Sequence, residues 1–177
     1  VAKAFSGAAA LALVRRGQLS LDDTIAQRLP ALPAQWGAVT LAQLLGHTSG
    51  IPDFSSSKAF GPALLASLDK APAPARLLDY VADQPLGFAP GSRYRYSNSD
   101  NIIIALMVEA ASGRTYPAAL ARDVFGPLGL TRTSLPSGVG IARPLIHGYD
   151  LENGRPGDDV TNLFAAGWTG ASGGVVS

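Results

Sequence analysis

At 177 residues the chain is long enough to bury a core as one domain. Charged residues make up 15%, against roughly 25% in an average soluble protein, and a net charge of +1 with no basic cluster excludes the electrostatic footprint of a nucleic-acid binder. The absence of cysteine excludes disulfides and thiolate metal sites, His47 and His147 are too far apart for metal-ligand spacing, and no apolar run approaches the roughly 20 residues of a membrane span.

The first predicted element is an Ala/Leu/Val helix over Ala8–Val14, closed by Gly17, with Arg15 and Arg16 where cations suit the negative end of the helix dipole. Lys3 sits at the other end, where a cation is electrostatically unwelcome. A lysine ahead of an apolar run resembles a signal peptide, but the run is short and two arginines follow it directly. A snorkelling surface lysine is the plain structural reading.

LSLDDTIAQRLP predicts a short helix with Ser20 as cap, Asp22 and Asp23 in its first turn and a stop at Pro30. Thr40 is set to cap LAQLLGH, with Leu41, Leu44 and Leu45 on one face and Gly46 at its end. HTSGIPDFSSS is turn-rich, and PALLASLDK and PARLLDYVADQ predict two short helices around an Ala/Pro linker. After the irregular PLGFAPGSRYRYSNSDN comes the apolar helix NIIIALMVEAASG, capped by the Ser/Asn/Asp cluster and closed at Gly113. One more helix is predicted around Pro117–Phe125. From Gly129 onward, recurrent Gly and Pro predict loops and a few short strands near the C-terminal end. No repeat and no long linker divides the chain, so residues 1–177 are expected to form a single, partial domain.

Two places carry chemistry. In RYRYSNSDN, side chains alternate along an extended segment, so Tyr96 and Asn98 share a side and Ser97 faces the other. Together they offer a proton-transferring phenol and a carboxamide with both donor and acceptor; the structural alternative is a capping cluster beside a packed tyrosine. The second place is Lys3. A serine directly ahead of Val1 would share a helix face with Lys3 and would place its backbone N–H at the helix N-terminus, where an oxyanion is stabilised. Burial and the positive end of a helix dipole weaken an ammonium's hold on its proton, which suits a base for a serine hydroxyl. If Lys3 has this role, its ammonium must be buried and within hydrogen-bond reach, about 2.6–3.2 Å, of the Tyr96 hydroxyl or of the nucleophile, with Asn98 facing the same cavity; a plain surface lysine would instead lie in solvent, more than about 10 Å from a Tyr96 packed in the core.

V-A-K opening an Ala-rich helix, RRGQLSLDD, LLGHTSGIPD, Y-S-N and the terminal AAGWTGASGGVVS occur in an order that resembles the serine β-lactamase and penicillin-binding superfamily. The resemblance is to its class C-like branch, which holds D-alanyl-D-alanine carboxypeptidases and related esterases. It implies an α+β, β-lactamase/transpeptidase-like fold, an antiparallel sheet flanked by helices plus a helical subdomain, with this segment mostly helix and loop. It also implies acylation of an S-x-x-K serine without metal or cofactor. Lys3 then takes the lysine role, Tyr96 the general acid/base role and Asn98 substrate-amide binding, and Trp168 lines the cleft. His47 of the HTSG turn is read as structural, with no acid or nucleophile placed to use it.

The implied substrates are D-alanyl peptides of peptidoglycan, β-lactams or small esters, and the implied location is secreted or periplasmic. The chain departs from the family pattern in two ways: the serine would lie one residue ahead of Val1, and no K-T-G or H-x-G motif for the substrate carboxylate appears. S-x-x-K also occurs at Ser55–Lys58, in a polar loop, and at Ser67–Lys70, inside a helix. GASGG around Ser172 matches the G-x-S-x-G elbow of α/β-hydrolases, which needs a strand before it and a helix after. An esterase using Ser172 and an inactive penicillin-binding-like recognition module therefore remain as alternatives.

Overall fold

The computed structural model describes residues 2–151 and 157–177. Its centre is α5 (Asn98–Ser112), in which Ile102, Ile103, Ile104, Met107 and Val108 are all buried. A helix apolar on nearly every side must be covered on nearly every side. Around it pack α1 (Ala2–Arg15), α3 (Leu41–Leu45), α6 (Tyr116–Leu120), α7 (Gly170–Gly173) and the 3-10 segment Pro74–Tyr80. Burying one such isoleucine contributes about 1.5–3 kcal/mol. The helix ends where Gly113 adopts φ 65°, a left-handed cap whose N–H reaches the Glu109 carbonyl.

On α1, Ala2, Ser6, Ala9, Ala10 and Leu13 form the buried stripe, at helical spacing. The helix begins at Ala2, well ahead of the predicted Ala8, so Lys3 lies in its first turn. Gly17, at φ 70°, turns the chain away from its end.

The second helix is α2 (Ile25–Arg28), and its cap is Thr24 rather than Ser20. Ser20 and Asp23 instead close a turn, with the Ser20 N–H donating to Asp23 Oδ2 at 2.7 Å. Thr24 and Thr40 each form a reciprocal capping box with the glutamine three residues on, and the two caps pair in an isolated antiparallel bridge. That bridge ties the starts of α2 and α3 together. The prediction of Thr40 as the cap of α3 matches the structure.

The two helices predicted around the Ala/Pro linker are α4 (Phe60–Ala66) and the 3-10 segment Pro74–Tyr80. The helix predicted around Pro117–Phe125 is α6, followed by a π-helical stretch over Ala121–Phe125. Strand among the described residues is confined to the antiparallel pair β1 (Tyr149–Asp150) and β2 (Asp158–Asp159), plus isolated bridges. No helix among the described residues is long and apolar enough to cross a membrane.

Candidate active site

Three elements converge where α1 begins, where α5 begins and where α7 ends. Lys3 is half-buried in the first turn of α1. Its ammonium donates to Asn98 Oδ1 at 3.1 Å and to the Ser172 carbonyl at 2.5 Å. Asn98 is the first residue of α5, and the Tyr96 hydroxyl donates to the same Oδ1 at 2.9 Å. The Lys3 ammonium also lies 5.0 Å from the centroid of the Tyr96 ring. Lys3 and Tyr96 are thus brought together through one shared oxygen of Asn98, and Tyr96 stays 45% exposed. A second phenol, Tyr116, touches α1 at Ser6 Oγ, 2.8 Å away, but burial pushes its pKa up to about 12, which keeps it a neutral hydroxyl.

The other end of the Asn98 amide is held by a residue the sequence reading did not single out. Nδ2 donates to Asp53 Oδ2 and to Ser55 Oγ, both at 3.1 Å. Asp53 caps the short 3-10 turn Phe54–Ser56 through Ser55 N–H at 3.0 Å. Asp and Ser at such a turn were the available signal. With cationic and hydroxyl donors on one side and a carboxylate on the other, the amide has one favourable orientation. An open cleft of about 650 Å³ begins beside Tyr96, with Asp53, Gln84 and Arg95 on its walls.

His47 does have an acid. Its Nδ1 lies 2.9 Å from Oδ2 of Asp100, which is fully buried in the first turn of α5, and the Ser49 hydroxyl donates to Oδ1 at 2.6 Å. Burial raises the Asp100 pKa, while the hydrogen bonds from His47 and Ser49 pull it back. The His47–Gly50 turn also holds the excursion that carries Tyr96. Gly87 N–H donates to the Gly50 carbonyl, Gly91 N–H to Thr48 and Arg95 N–H to His47, at 2.8, 2.8 and 2.9 Å. Gly50 needs its φ of 79°, and a Cβ there would collide with the Phe88 carbonyl.

Trp168 lies apart from this group. It is 4% exposed, its indole N–H donates to the Ser67 carbonyl at 2.9 Å, and its ring meets Phe60 edge-on at 5.9 Å. The contacts are those of an anchor between α4 and the 3-10 turn Ala166–Trp168. Ser172 is no elbow nucleophile: that same 3-10 turn precedes it where a strand is needed, and its Oγ donates to the Thr169 carbonyl at 2.5 Å. Its contribution to the group is its backbone carbonyl.

The chain is similar to several known proteins. Penicillin-binding protein 4* of Bacillus subtilis is 29% identical over 137 residues, 75% of this chain and 29% of that protein. The D-stereospecific amidohydrolase from a Streptomyces species superposes with a TM-score of 0.88 at 28% identity, covering 99% of this chain and 55% of that one. The D-amino acid amidase of Ochrobactrum anthropi SV3, in complex with D-phenylalanine, gives 0.82 at 26% identity, over 99% of this chain and 51% of that one. The chain therefore spans about half the length of these solved relatives and under a third of the curated one. The Beta-lactamase family matches residues 1–177, and with the converging starts of α1 and α5 this places the chain in the serine β-lactamase and penicillin-binding superfamily, with its β-lactamase/transpeptidase-like fold.

Proposed function

We propose that the protein is a serine acyl-transfer hydrolase acting on peptides or amides of D-amino acids, with Lys3 and Tyr96 as its proton-transfer groups. The observation that carries this reading is the shared Asn98 oxygen, which gathers an ammonium and a phenol although Lys3 and Asn98 are 95 positions apart. The similarity to a penicillin-binding protein and to hydrolases of D-amino acid amides supports the substrate class.

In the proposed reaction the Lys3–Tyr96 pair first gives up one proton to solvent, and a serine directly ahead of Val1 then loses its hydroxyl proton to the base so formed. Its oxygen forms a bond to the substrate carbonyl carbon, the C–N bond breaks, and Tyr96 returns the proton to the departing amine. Water then hydrolyses the ester. Asn98, once Ser55 releases it, has an N–H to offer the substrate amide, and Asp53 keeps that end of the amide turned outward. A peptidoglycan stem peptide as substrate would place the enzyme outside the cytoplasmic membrane.

The test is labelling of the full-length protein with a fluorescent penicillin, followed by peptide mass spectrometry. The adduct is expected on the peptide containing Val1-Ala2-Lys3. Lys3→Ala and Tyr96→Phe should each slow labelling by at least about a hundredfold, the scale of positioned acid–base catalysis. An adduct on Ser172 would overturn the assignment. No adduct at all would leave a recognition module.

A further inference from the structure

His47 is the one non-glycine among the described residues with a positive φ, at 52°. A left-handed backbone at a side chain of this size is costly and persists only where its surroundings hold it. What holds it here is the segment that carries Tyr96. The His47 carbonyl accepts the Arg95 N–H at 2.9 Å. Beside this clasp the Tyr96 ring lies over the imidazole, centroids 4.8 Å apart and planes tilted by 38°. Tyr94 meets the same imidazole edge-on at 6.2 Å. Below, Nδ1 is anchored on buried Asp100, two residues after Asn98 on α5.

We infer that His47 is a positioning residue for Tyr96: the anchored imidazole is the platform that fixes where the phenol hydroxyl sits relative to Asn98 and Lys3. This rests on the reading of Tyr96 as the proton-transfer group. Tyr96 is nearly half exposed, so the core does not fix its ring. Besides the hydroxyl's bond to Asn98, the imidazole below and the Lys3 ammonium 5.0 Å from the ring centroid are what restrict it. Displacing a reacting group by about 1 Å is enough to cost about a hundredfold in rate.

The discriminating variant is His47→Asn in the full-length protein. Asparagine tolerates a left-handed backbone and offers an amide N–H to Asp100, so it keeps the structural duties and deletes only the platform. Acylation by a chromogenic β-lactam should show a maximal rate constant lowered about ten- to a hundredfold, with the half-saturation concentration changed less than about twofold. The same substitution on a Tyr96→Phe background should cost nothing further, because the hydroxyl being positioned is gone. Wild-type acylation by His47→Asn, beside an impaired Tyr96→Phe, would overturn this inference alone. So would a fully additive loss in the double variant, or a loss that tracks a collapse of its melting temperature. Wild-type acylation by Tyr96→Phe would remove the reading of the site and this inference with it.

Discussion

Truncating Asp100 to alanine should be the most destabilising single change near the site. The carboxylate is fully buried and accepts from the Ser49 hydroxyl at 2.6 Å while meeting His47 Nδ1 at 2.9 Å. Ser49 is itself fully buried, so its hydroxyl is left without that acceptor. An orphaned buried donor costs about 1–3 kcal/mol, and the partly exposed His47 imidazole loses its partner as well. Asp100 also lies in the first turn of α5, where a negative charge contributes about 0.3–1 kcal/mol against the dipole. A loss of about 3 kcal/mol would lower the melting temperature by about 6–12 °C in a domain of roughly this size.

The sign of the pH dependence follows from burial, which holds the folded-state pKa of Asp100 above its ordinary 3.8. The folded protein then binds this proton more tightly than the unfolded chain does. The associated stability is complete below 3.8 and is lost as pH rises through the raised value. Urea unfolding of the full-length wild type, Asp100→Ala and the uncharged Asp100→Asn, repeated across the acidic range, measures both effects. Wild-type stability relative to Asp100→Asn should fall with rising pH. An alanine variant within about 1 kcal/mol of wild type, or a gap that widens toward neutral pH, would refute the assignment of Asp100 as the buried anchor of this turn.

Asp53→Ala should free the Asn98 amide to rotate, because Asp53 is the anionic acceptor that distinguishes Nδ2 from Oδ1. Stopped-flow acylation should slow by about tenfold, and an unchanged rate would show that Lys3 and Tyr96 suffice to orient it. Trp168→Phe removes the indole bond to the Ser67 carbonyl and should cost about 1 kcal/mol in thermal unfolding. A shift in half-saturation without loss of stability would instead make Trp168 a wall of the substrate cleft.

Elements whose cause is local were legible before any coordinates. The apolar run Ile102 to Val108, closed by Gly113, was legible as a helix, and its burial on nearly every side is what makes it central. Thr40 with Gln43 specified its own cap. The order of motifs likewise pointed to Lys3, Tyr96 and Asn98, because residue types at fixed places in a family pattern can be read without coordinates.

Other features were decided only when distant parts of the chain met. In sequence Ser20 looks like the cap of α2, but the cap is Thr24. Thr24 prevails because its pairing with Thr40 fixes where α2 begins, while Ser20 is consumed in a turn with Asp23. Nothing near Asp53 or Asp100 in sequence announces Asn98 or His47 as a partner, since those contacts span 45 and 53 positions. The Ser172 carbonyl reaches Lys3 across 169 positions, and any residue type there would have presented the same carbonyl to sequence inspection. Trp168 shows the same limit from the other side: a tryptophan suits a cleft wall and a core anchor equally, and only the packing of Phe60 and the Ser67 carbonyl around it decides which contacts it makes. Local propensity acts over a few residues of chain, whereas the orientation of each of these side chains is set by the burial of α5 against its neighbours.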